Sequence, residues 1–105
     1  MATAVRTVHV VAKTHLDLGF TALAAEVEDR YLRVLFPAAI ATAAELERRG
    51  APERLVWTTG SWILERALAD PDEGRAAAVA AAVEAGHLAW HALPLTFHTE
   101  LMDAP

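Results

Sequence analysis

His15 and Asp17 stand two residues apart near the start of the chain, and their types suit a cation. Where a strand runs out, residues at that spacing point to the same side, so an imidazole and a carboxylate can converge on one ion. Nitrogen with carboxylate oxygen suits Zn2+ or a similar divalent metal. A plainer alternative stays open, in which His15 bonds a backbone group and Asp17 caps the next turn.

A second group, Trp90-His91-Ala92-Leu93-Pro94-Leu95-Thr96-Phe97-His98-Thr99-Glu100, repeats the spacing at His98 and Glu100. One of these could complete a metal site, and Glu100 could act as a carboxylate catalyst or a substrate anchor. Equally, the stretch reads as a solvated loop. A third group, Trp57-Thr58-Thr59-Gly60-Ser61-Trp62, joins aromatic faces to hydroxyls, the mixture that binds the two sides of a sugar. Trp57 is read as core, while Trp62 is open between core and pocket. His91 and Trp62 are the substrate-binding candidates. His9 and His87 are read as structural, Lys13 as an anion or sugar contact by position, and Glu45, Glu47, Arg48 and Arg49 as a solvated face.

The elements that would position these residues follow from periodicity. Thr7-Val8-His9-Val10-Val11-Ala12 predicts a strand buried on both faces, with His15 and Asp17 in the loop at its carboxyl end. Thr21 is expected to cap a short helical turn through Ala25. From Asp29 to Arg49 apolar residues recur at helical steps, interrupted by Pro37, which should kink or divide the helix. Gly50 and Pro52 stop it. Arg54 to Thr59 predicts a second strand, followed by a helix from Gly60-Ser61 to Leu68. Another helix is expected with Asp70 as N-cap, Pro71 first and Glu73 completing a capping box, ending at Gly86. His87 to Ala92 predicts the third strand. The order β-α-β-α-β implies an α/β fold with parallel strands and right-handed crossovers, part of a larger barrel or sheet.

At 105 residues the chain is at most one domain, and 54 % hydrophobic with 22 % charged residues favours a packed core over disorder. A net charge of −5 with scattered Lys and Arg argues against nucleic acid or an anionic membrane as partner. No cysteine is present, so disulfides and thiolate ligands are excluded. The start lacks the pattern of a secretory signal, and no apolar stretch is long enough to span a bilayer. A soluble, cytoplasmic protein is expected.

Val8-His9-Val10-Val11 followed by His15-Leu16-Asp17-Leu18-Gly19-Phe20 resembles the opening of glycoside hydrolase family 38, the α-mannosidases, with its strand and H-x-D-x-G-aromatic motif. With Lys13-Thr14-His15, Trp57-Thr58-Thr59-Gly60-Ser61-Trp62 and Trp90-His91-Ala92-Leu93-Pro94, the chain looks closer to a bacterial branch of that superfamily. The resemblance implies that residues 1–105 are the N-terminal portion of a single catalytic domain, a seven-stranded α/β barrel of the glycoside hydrolase/deacetylase type. It makes His15 and Asp17 zinc ligands in an enzyme of carbohydrate metabolism that retains configuration at the sugar. A carbohydrate substrate and the remainder of the barrel are the implied partners.

The family places a nucleophilic aspartate after the third strand, where this chain reads Phe97-His98-Thr99-Glu100-Leu101 with no aspartate before Asp103. Either Glu100 takes the carboxylate role or His98 has become a ligand. Two other classes therefore stand beside the hydrolase: a non-catalytic carbohydrate-binding relative, and another metal-dependent hydrolase on a similar barrel.

Overall fold

The computed structural model describes residues 4–95. Its order is β1 (Ala12–Lys13), α1 (Ala24–Arg30), a π-helical turn (Tyr31–Leu35), α2 (Phe36–Arg48), β2 (Trp57–Gly60), α3 (Ser61–Leu68), α4 (Glu73–Glu84) and β3 (Leu88–His91). The three strands form one parallel sheet in the order β1-β2-β3. The fold is mixed α/β, as expected.

Ala12 pairs with Trp57, and Trp57 with Leu88, so these three side chains share a face. The helices pack there. Trp57 stacks on Tyr31 at 6.3 Å between ring centroids and meets Phe36 edge-on at 5.1 Å. Leu88 joins Phe36, Ile63, Leu64 and Val79 in the core. Ile63 is wholly buried, worth about 2 kcal/mol relative to exposure. Sequential parallel strands with right-handed crossovers put both crossovers on one side. The opposite face carries Lys13, Thr58, Gly60, Ala89 and His91, and of these only Gly60, which lies against the Pro94 carbonyl, is buried.

The first strand differs from expectation. Residues 7–11 are outside the ladder, and Val8, Val10 and Val11 are 76 %, 91 % and 70 % exposed. Pairing in β2 begins at Trp57, the partner of Ala12, so residues before Ala12 have no strand opposite them. His9 is accordingly an exposed residue rather than a strand residue. Strands β2 and β3 are also shorter than the apolar runs that contain them.

Pro37 does not divide its helix. Helical backbone runs from Ala24 to Arg48, and the turn before the proline widens so that Phe36 N–H reaches the Tyr31 carbonyl five residues back. A regular turn would push the proline ring against the Arg33 carbonyl, and the wider turn relieves that clash. The helix starts at Ala24 with Leu23 as N-cap residue, whose N–H is accepted by Glu26 Oε2 at 3.3 Å, so Thr21 is not the cap. Gly50 and Gly86 follow α2 and α4 with φ of 64° and 77°, the left-handed stops anticipated for them.

Asp72, not Asp70, caps α4, accepting Arg75 N–H at 3.0 Å. Asp70 is occupied otherwise. Its buried carboxylate accepts two bonds from the Arg75 guanidinium, at 2.8 and 2.9 Å, and the Asp72 N–H at 2.8 Å. Among the described residues no helix is long and apolar enough to cross a membrane.

Candidate metal-binding site

Beyond β1 one more ladder bond, Thr14 N–H to the Thr58 carbonyl at 3.0 Å, carries the chain off the sheet. The strand's alternation continues into the loop. Leu16 packs against the core, while His15 and Asp17 turn outward together. His15 Nε2 lies 3.1 Å from Asp17 Oδ1, with the two side chains 61 % and 48 % exposed. A pair this exposed contributes little to stability, at most about 1 kcal/mol. It is therefore free to reorganise around a ligand. The plainer alternatives are not what is seen: the ring bonds a side chain, and α1 is capped without Asp17.

Tyr31 holds this loop from behind. Its ring is buried in the core, and its hydroxyl lies 2.5 Å from Thr14 Oγ1 and donates to the His15 carbonyl at 3.4 Å. Buried phenols need such partners. The residue went unremarked in the sequence, although it is the single tyrosine in the chain and sits on the apolar stripe of a helix. Between loop and helix lies a cleft of about 320 Å³ whose walls include His15, Asp17, Thr21, Glu26, Arg30 and Tyr31. Glu26 and Arg30 also escaped sequence reasoning, since helical charges at four-residue spacing read as solvated.

The donor set suits a metal in part. In a tetrahedral zinc site, bonds of roughly 2.1 Å put neighbouring donors about 3.4 Å apart, close to the observed His15–Asp17 separation. Among the described residues no group of three or more His, Cys, Asp or Glu side chains is gathered for a metal. His98 and Glu100 lie outside the described residues.

The other candidates cluster at the ends of β2 and β3. Trp57 is a core residue, as read. The Trp62 side chain is half-buried against the core, and the residue's backbone N–H donates to the Pro94 carbonyl at 3.4 Å. His91 ends β3 opposite Gly60 and is half-buried. Ser61 N–H bonds the Leu93 carbonyl at 3.2 Å, so the loop after β3 folds onto the start of α3. Neither Trp62 nor His91 lines the His15 cleft.

Lys13 is exposed beside this edge. His87 is buried and bonds Glu47 across 3.1 Å, a structural role as expected, which gives Glu47 a partner rather than a purely solvated place. Glu45 does lie on the solvated face, paired with Arg48 and Arg49 at 2.7 and 2.6 Å. Bonds from Arg48 first, then Arg49, hold its carboxyl below the ordinary range.

Compared with family models, curated proteins and solved structures, the chain matches none significantly.

Proposed function

We propose that His15 and Asp17 supply the first two ligands of a divalent-metal centre in a retaining glycoside hydrolase of the α-mannosidase type. The carrying observation is the 3.1 Å approach of His15 Nε2 to Asp17 Oδ1 at the carboxyl end of a parallel strand. Ligands in such folds bind where strands end. The sequential strand order and a second sheet face left open except at Gly60 support the N-terminal part of a seven-stranded barrel, whose interior that face would line.

When bound, zinc would hold sugar hydroxyls and help orient the ring. The chain's own residues do the rest. His15 and Asp17 hold the ion, and Tyr31 with Thr14 keeps their loop in place. Glu100 takes the carboxylate role of the family's aspartate. It attacks the anomeric carbon as the glycosidic C–O bond breaks, and the departing oxygen takes its proton from a second carboxylic acid, a role that none of His15, Asp17 and Glu100 fills. Trp62 and His91 lie outside the His15 cleft near the carboxyl ends of β2 and β3. They would offer an aromatic face and a hydrogen-bonding ring to the part of a sugar that reaches beyond it.

The test is zinc content and affinity of the full-length protein beside its His15→Ala and Asp17→Ala variants. Stoichiometric metal, lost in both variants, supports the centre and directs a screen of aryl glycosides, mannosides first. Metal absent, or indifferent to both changes, overturns it. The missing aspartate between Phe97 and Leu101 favours a second reading, a carbohydrate binder without turnover. In a turnover assay Glu100→Gln abolishes hydrolysis under the first reading, whereas the second predicts no hydrolysis even in the unsubstituted protein.

A further inference from the structure

Arg30 differs from the other helical arginines. Among the described residues Arg33 pairs with Asp29, Arg48 and Arg49 with Glu45, Arg66 with Glu28, and Arg75 with Asp70 and Asp72. A partner of the right kind stands one turn before Arg30, since Glu26 precedes it at the spacing that favours a helical ion pair. Glu26 instead turns back to accept the Leu23 N–H at 3.3 Å. Among the described residues the guanidinium of Arg30 is thus left without a carboxylate partner, in the wall of the cleft that also holds His15 and Asp17.

We propose that Arg30 gives this cleft its substrate class: a saccharide bearing an oxyanion substituent (a carboxylate, sulfate or phosphate) rather than a neutral sugar. The inference rests on the metal-centre reading and deepens it. Asp17 and Glu26 alone would repel an anion. A divalent ion at His15 and Asp17 together with Arg30 would set three positive charges against two negative ones in the cleft. A guanidinium presents paired N–H donors that match a planar carboxylate or a phosphate, and such charge-assisted bonds are among the stronger polar contacts. Tyr31 and the Leu23–Glu26 bond fix the two walls, so the ligand would enter a cleft already formed.

The experiment is calorimetric binding of two probes, D-mannuronate and D-mannose, to the full chain with and without zinc. The unsubstituted protein, Arg30→Gln and Arg30→Lys are compared, and zinc stoichiometry is measured on each. Uronate is expected to bind at least about tenfold more tightly than mannose. Arg30→Gln should erase that preference with zinc stoichiometry unchanged, and Arg30→Lys should restore part of it. Arg30 is exposed on a helix, so neither change should disturb folding. No preference for the uronate, or equal weakening of both sugars in Arg30→Gln, overturns the assignment. Should the protein bind no zinc yet keep an Arg30-dependent preference for uronate, the anion site stands and the metal reading falls.

Discussion

The hydroxyl of Tyr31 lies 2.5 Å from that of Thr14, across sixteen intervening residues, and so ties the widened turn of a helix to the residue before His15. Its longer bond to the His15 carbonyl uses the phenolic proton, which leaves Thr14 to donate to the phenol oxygen. The side chains of His15 and Asp17 are exposed, but the backbone carrying them is anchored to the core.

Removing that hydroxyl should therefore loosen the loop while sparing the core. Tyr31→Phe keeps the ring stacked on Trp57 and should cost about 1 kcal/mol in denaturant unfolding. Zinc affinity should fall about tenfold, the usual effect of losing a group that orients a ligand. Wild-type zinc affinity in Tyr31→Phe would show that the phenol does not position His15.

Gly60 tests the neighbouring loop. A Cβ placed there would come within 2.6 Å of the Pro94 carbonyl oxygen, with the His91 ring carbon at 3.5 Å. Gly60→Ala must push the loop after β3 away from α3, at an expected cost of about 1–3 kcal/mol. The His91 ring resonances should shift at the same time. Unchanged stability and resonances would mean that the loop yields without resistance and that the Ser61–Leu93 contact is incidental.

Much of this arrangement was legible from the residues. The parallel β-α-β-α-β order, the stops at Gly50 and Gly86 and the shared side of His15 and Asp17 all follow from local pattern. What pattern could not supply depends on partners distant in the chain. Residues 7–11 are β-branched and apolar, yet a strand needs a neighbour, and β2 offers none before Trp57. Asp70 has the type and place of an N-cap, but Arg75 competes for its carboxylate and Asp72 takes the cap. Pro37 would divide a helix of regular turns, whereas one wide turn before it lets the helical backbone continue. Glu26 and Arg30 stand at the spacing of an ordinary solvated helical pair, and only the bond from Leu23 shows that Glu26 is turned away from Arg30.

The core prediction is simpler. Ile63 is wholly buried beneath the sheet, so Ile63→Ala should lose about 2–5 kcal/mol and Ile63→Val about 0.5–1.5 kcal/mol. Urea titration of both variants would check the ratio. Similar losses for the two would indicate that the site collapses around the cavity.

Asp70 predicts how the protein responds to acid. Its carboxyl is held below the ordinary range, chiefly by the hydrogen bonds from Arg75, then by the Asp72 N–H, with the charges of Arg75 and Arg33 adding to the effect. Burial opposes the shift and loses, even though the side chain is only 2 % exposed. A folded-state value below the unfolded one means that the stabilisation is complete above the unfolded carboxylate value of about 4 and disappears as pH falls through the lower folded value. Asp70→Asn keeps the shape and an oxygen for the Asp72 N–H but removes the charge facing Arg75. Its melting temperature should therefore lie below wild type at pH 7, with the gap narrowing steadily under acid until the two curves meet. Parallel acid limbs would instead mean that Asp70 binds its proton equally well folded and unfolded, and the tie between Asp70 and Arg75 would have no part in acid unfolding.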